Sequence, residues 1–155
     1  MFVIIFEIIG ILAGVIKYLF LGNVRGINVL LTDMLYCQLV VSAFISGVFG
    51  FIGHYFKADY VAEFIGWPKG NPFQKEIAFT NLAIGLTSFL AAFNDNGYWL
   101  ACIVFISIFY LGAAMGHVQD MKAKGNMNQG NAFMVVPDIL MPCIMIALYI
   151  AVYFV

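Results

Sequence analysis

The chain has 155 residues, of which 64% are hydrophobic and only 10% charged, with a formal net charge of -1. A mean hydropathy of +1.00, carried in apolar runs near the ~20 residues that a ~30 Å hydrocarbon core requires, makes the bilayer the solvent for most of the chain. The charge balance leaves no nucleic-acid footprint, and the seven Lys and Arg residues fall at the ends of apolar stretches, as boundary anchors do.

The first apolar segment, Phe2 to Leu21, lacks a basic leader region and a small-x-small cleavage site, and it carries Glu7 and Lys17. It reads as a retained span. Gly22 suits a left-handed cap at its end, and Thr32 suits an N-cap for a second span over about Asp33 to Phe56. Ala43, Gly47, Gly50 and His54 recur there at helical spacing, so a neighbouring helix could approach closely and reach the histidine. Between Lys57 and Gly70 the apolar Tyr60, Val61, Phe64, Ile65 and Trp67 alternate with Lys57, Asp59 and Glu63, the pattern of a short interfacial helix.

Asn71-Pro72-Phe73-Gln74 places an N-cap, a proline at the first helical position and a Gln three residues after the cap, so span three begins near Pro72. The polar turn Asn94-Asp95-Asn96-Gly97 makes spans three and four antiparallel neighbours. Span four runs from Tyr98 to about Lys124, with Gly125 as its cap, a small-xxx-small face at Gly112 and Gly116, and His117 and Asp120 on one face. After the uncharged amide-rich loop Asn126 to Asn131, span five starts near Phe133 and meets Pro137 and Pro142 at once. Pro142 frees the carbonyl of Asp138. The fold class is therefore all-α: one integral membrane bundle over residues 1–155, with five transmembrane helices and a short interfacial helix between spans two and three.

Cys37, Cys102 and Cys143 lie inside apolar segments without CxxC spacing and read as packing residues. The glycine pairs Gly10/Gly14, Gly47/Gly50 and Gly112/Gly116 offer more close-contact faces than one five-helix bundle consumes, which predicts a homo-oligomer. Lys57, Lys69, Lys75, Lys122 and Lys124 fall on the face that holds the N-terminus, against Lys17 and Arg25 on the other. That bias puts the N-terminus in the cytoplasm and the C-terminus outside.

The ionisable groups carry the functional signal. Counting up and down the spans, Glu7, His54, Glu76, His117, Asp120 and Asp138 all fall near the N-terminal face, with Asn81 beside them, whereas the far side has only Lys17, Arg25, Asp33 and Asp95 in or near connections. Such groups inside spans are costly and usually face an interior or an aqueous cavity. Each also has a structural reading: boundary residues at His54 and Glu7, helix-dipole partners at Glu76 and Asp138, and a span-to-loop hydrogen bond at His117 with Asp120.

The stretches "GWPKGNPFQKEIAFTNLAIG" (Gly66 to Gly85) and "GHVQDMKAKGNMNQGNAF" (Gly116 to Phe133) resemble an uncharacterised family of small prokaryotic membrane proteins, a domain of unknown function. The likeness rests on Trp67-Pro68, Pro72-Phe73-Gln74, Glu76, Asn81-Leu82, Gly85, Gly116-His117, Gly130-Asn131 and Asp138, with Ala78 standing where the family pattern has Gly. It implies a multi-span helical protein and brings no activity with it.

The expected function is binding or translocation of a small polar or cationic solute, or of protons, at a His/carboxylate cavity near the N-terminal face, with membrane lipids as the surrounding partner. Two other readings stand beside it: an intramembrane enzyme acting on a lipidic substrate by His/Glu acid-base chemistry, and a structural or accessory subunit. Zinc-type ligation has residue types in its favour but no HxxxH, HExxH or ExxH spacing. No Walker, Rossmann, CxxCH or GxSxG pattern occurs, so no cofactor is expected.

Overall fold

The computed structural model describes residues 2–21 and 26–154; the expected Gly22 cap and the Arg25 anchor lie outside them. Five helices are long and apolar enough to cross a membrane: α1 (Phe2–Leu21), α2 (Ile27–Phe56), α4 (Phe73–Phe93), α5 (Gly97–Lys124) and α6 (Gln129–Phe154). Between α2 and α4 lies the short helix α3 (Ala58–Ile65), which buries Ala62 and Ile65 and ends at Gly66 in the left-handed conformation, φ 85°. Gly125 ends α5 the same way, at φ 64°, with its N–H donating to Met121 O. Only glycine holds such φ values without strain.

Two helix starts differ from expectation. α2 begins at Ile27, because Gly26 at φ 146° makes the break. Thr32 is consequently inside the helix, where its hydroxyl donates to Asn28 O at 2.7 Å, the usual way a mid-helix threonine satisfies itself. At α4, Asn71 does cap, its Oδ1 accepting from Phe73 N at 3.0 Å. Gln74, however, does not reach back to the cap. Its amide turns instead to α2.

Helix packing follows the glycines. A Cβ on Gly47 would collide with Gly85 N and, at 2.5 Å, with Asn81 O; one on Gly14 would come to 2.5 Å from Met34 Cα, and one on Gly10 to 2.9 Å from Ser42 Cβ. Backbone-to-backbone approach of this kind is what small residues allow in lipid. The α1/α2 and α2/α4 contacts therefore consume two of the three glycine pairs that pointed to self-association. Around Gly112 and Gly116, by contrast, a Cβ would meet nothing within 4 Å.

α4 leans on α2, and α5 leans on α6. Among the described residues the hydrogen bonds that join α4 to α5 lie near their shared turn, where Tyr98 Oη donates to Thr87 O and Trp99 Nε1 to Ala91 O, both at 3.0 Å. Neighbours in sequence, they diverge toward the N-terminal face. The dry core, with Leu35, Leu39, Ile84, Ile106, Met141 and Met145 all at 0% exposure, fills the middle and the half nearest that turn. The diverging half is left for polar groups.

Two outcomes follow from this packing. Cysteine tags at the N-terminus and in the 125–130 loop should label from one side of the membrane and a C-terminal tag from the other, and labelling of both termini from one side would remove a span. Gly47→Ala should lower stability by about 1–3 kcal/mol through overpacking, while Gly112→Ala should stay within about 0.5 kcal/mol; equal melting temperatures in detergent would refute the tight α2/α4 seam.

Candidate functional site

In the diverging half, α2, α4, α5 and α6 surround a cavity of about 490 Å³, roofed by Ile65 and Trp67. The residues that line it include His54 and Gly50 from α2, Asn81 and Ile77 from α4, His117, Gly116, Gly112 and Ile108 from α5, and Asp138 from α6. Its volume lies in the ~300–1,000 Å³ range of small-ligand pockets. Four of the residues singled out by sequence, His54, Asn81, His117 and Asp138, thus share one chamber. Gly50 helps to shape it, since a Cβ there would come to 2.5 Å from Asn81 Oδ1.

Each histidine is oriented by an amide. His54 Nδ1 lies 2.5 Å from Gln74 Oε1, and His117 Nδ1 lies 2.6 Å from Asn131 Oδ1. The Asn131 amide cannot be turned the other way, because its nitrogen donates to His117 O at 3.3 Å and to Asn126 O at 2.9 Å. His117 Nδ1 must therefore carry the proton and donate, which leaves Nε2 of the neutral ring as an acceptor. That Nε2 faces Asp138 Oδ2 at 3.7 Å, too far for a direct hydrogen bond. The Asp138 side chain is 3% exposed, and its carboxylate has no hydrogen bond among the described residues.

The remaining expected residues lie elsewhere. Glu76 is exposed and lines a second, outer cavity of about 840 Å³ with Asn71, Thr80, Gln119, Asp120 and Lys124; the two cavities share Trp67, Ile77 and Gly116 as a common wall. Asp120 is fully engaged, accepting from Trp67 Nε1 at 3.2 Å and Asn126 Nδ2 at 2.6 Å and pairing with Lys124 at 2.7 Å. Trp67 also stacks on the His117 ring, with centroids 5.8 Å apart and 21° between planes. These contacts tie α3 and the 126–131 loop, which includes the first helical turn of α6, onto α5. A Cβ on Gly130 would strike the Phe64 backbone at 2.6 Å, so the loop is pressed against α3.

Glu7 is not near the N-terminal face with the others. Phe2 packs on Phe49, with centroids 5.2 Å apart, so α1 starts well below the end of α2. Glu7 accordingly meets Ser42, whose Oγ donates to Oε1 at 2.7 Å, about 18 Å along α2 from His54 at ~1.5 Å per residue. Ser42 belongs to a wide π-type stretch of α2, Gln38–Ala43, a device that re-aims side chains out of the regular ladder. Nor is the far side empty of paired charge inside the spans: Lys17 Nζ contacts Asp33 Oδ1, and the same ammonium lies 5.3 Å from the Tyr36 ring centroid. Among the described residues no three His, Cys, Asp or Glu side chains converge as a metal ion requires.

Sequence reasoning missed Gln74, Trp67, Asn126 and Asn131. The spacing of Gln74 predicts a cap partner, and Trp67 reads only as part of the apolar side of the interfacial helix. The signal available for the asparagines was the absence of any charge in an amide-rich loop beside His117, since amides supply both donors and acceptors to a buried ring.

With this geometry in view, the comparisons add the family alone. The profile of a family of unknown function, DUF6790, matches residues 1–153, and the chain belongs to that family. The match covers nearly the whole chain rather than the two central stretches only. Neither a curated protein nor a solved structure matches.

The amide network gives a stability test. Asn131→Ala would strand the His117 donor and two backbone carbonyls in a buried place and should cost about 1–3 kcal/mol, whereas Glu76→Ala, at an exposed position, should stay within about 0.5 kcal/mol. Indistinguishable unfolding midpoints for the two variants would show that the network does not hold the histidine.

Proposed function

We propose that the inner cavity binds a small donor-bearing solute, a cation or an ammonium group, and that the protein holds or translocates it at His54, His117, Asp138 and Asn81. The observation that carries this reading is the His117–Asp138 pair. An imidazole nitrogen and a carboxyl group face each other across 3.7 Å in a buried chamber, too far apart for a direct hydrogen bond and placed so that one proton or donor can serve both. With His54 Nδ1 directed to Gln74, the second ring adds another polar nitrogen to the same wall.

The outer cavity serves as the approach from the N-terminal face, with Glu76 and Asp120 as its acids and Lys124 already paired to Asp120. We further propose that this face is cytoplasmic. Lys57, Lys69, Lys75, Lys122 and Lys124 lie toward it, and Lys17 on the opposite side is drawn into an ion pair rather than left as an interfacial anchor.

Titration of the purified protein with ethylammonium, read by Trp67 fluorescence or calorimetry, should show saturable binding. Asp138→Asn and His117→Ala should each weaken it at least tenfold, about 1.4 kcal/mol, with the melting temperature nearly kept. Undiminished affinity in both variants would rule the chamber out as the site, and loss of the fold in both would return these residues to a purely structural role.

A further inference from the structure

The inner cavity is open sideways. Because the described hydrogen bonds between α4 and α5 lie at their turn, and Ile77 of α4 and Gly116 of α5 border both cavities, the wall between the two helices is incomplete. On α5 that wall consists of Ile108, 70% exposed, and of Gly112 and Gly116, both exposed with open space where a Cβ would be. Ile108 lies about 24 Å from Lys124 along the helix at ~1.5 Å per residue, which is deep within a ~30 Å hydrocarbon layer. An opening at that depth faces acyl chains. Its rim agrees: Ile77, Ile108, Phe109 and Ala113 surround it, while His117, Asp138 and Asn81 stand at the inner end.

We propose that the occupant is a single-chain amphiphile with a primary ammonium head, which enters from the bilayer between α4 and α5. Its chain lies along Ile77, Gly112 and Gly116, and its head sits between Asp138 and His117. This deepens the donor-binding reading and rests on it. Three features select this occupant. The chamber is continuous from an apolar slot to a polar end, as a head-and-chain molecule is. Charge is complementary, since the acids near the head position are Asp138 inside and Glu76 and Asp120 outside, against one lysine, Lys124, already paired. A second helix ~10 Å across does not fit a chamber of about 490 Å³. The buried Asp138 carboxylate, without a hydrogen bond among the described residues, supplies the polar group that a ligand must answer.

The test uses the full chain in lipid nanodiscs and a decylamine carrying a diazirine in its chain, with the corresponding diazirine alcohol as the uncharged control. Crosslinks mapped by mass spectrometry should concentrate on the α4–α5 slot around Ile77, Ile108 and Ala113 and be competed by excess dodecylamine. The alcohol should label the slot at least tenfold less. Filling the slot by Gly112→Leu, or independently by Gly116→Leu, should cut amine labelling at least tenfold. Crosslinks spread evenly over lipid-facing positions such as Ile5, Leu12 and Phe79, or undiminished in both filled variants, overturn the lateral route. If ethylammonium binds in a manner dependent on Asp138 but the amphiphile does not label the slot, the amphiphile is wrong and the solute reading stands. If neither binds, both fall together.

Discussion

Inside a hydrocarbon layer every polar group must find its partner within the protein, and the arrangement of this bundle follows from that requirement. Lys17 turns to Asp33, Glu7 to Ser42, His54 to Gln74 and His117 to Asn131; each pair joins two segments that are distant in sequence or separated by a loop. The pairs therefore fix which helices are neighbours and at what height. Asp138 stands apart. It is as buried as the others, and its nearest described partner is the His117 ring at 3.7 Å; Glu7 Oε2, Gln38 Oε1 and Gln74 Nε2 are also without a hydrogen bond among the described residues, but Asp138 borders a cavity.

Close packing and open packing are divided between the two ends of the molecule, and glycine decides the division. Where Gly10, Gly14, Gly47 and Gly85 meet another backbone, helices touch with no room for a side chain. Where Gly112 and Gly116 meet nothing, the same residue type widens a chamber instead. Dispersion contacts are all that hold apolar faces together in lipid, because acyl chains are as apolar as leucine. A stripe of small residues left without a partner in that solvent forfeits those contacts. In this protein the forfeited contacts border the same cavity as the Asp138 carboxylate, so open packing and an acid without a hydrogen bond among the described residues meet in one chamber.

The five spans, the short helix after α2 and the glycine end of α5 were legible in the sequence, because each rests on local chemistry: apolar length, amphipathic spacing, or a left-handed cap. What was illegible depends on relative height. Counting residues from the N-terminus put Glu7 at the same level as His54, but α1 has 20 residues against 30 in α2 and pairs with its lower part. The same limit hid the Lys17–Asp33 pair, since a lysine near a span end and an aspartate near a helix start look like two boundary residues until the helices are set side by side. Gln74 fits a capping box by spacing, and only the approach of α2 along Gly47 and Gly50 gives its amide a better partner in His54. The grouping of His54, Asn81, His117 and Asp138 near one face could be read, since they sit within a few turns of connections on the same side. That Glu76 belongs to the outer chamber could not, because the side a helix residue faces depends on which neighbour its helix leans against.

The loop and the short helix then take on a role that their length conceals. Asn126 donates to Ile65 O and to Asp120, Trp67 donates to Asp120 and covers His117, and Asn131 holds the His117 ring while satisfying the carbonyl of His117 itself. Every one of these links crosses between α3 or its following turn, the 126–131 loop and the end of α5. The orientation of the His117 ring, and hence the nitrogen that faces Asp138, is set by groups outside the chamber. Displacement of Trp67 or of the loop would both open the wall shared by the two cavities and release the ring that defines the inner one. Access and recognition are consequently joined in the same few residues, so a change that loosens the roof must also alter what the chamber can bind.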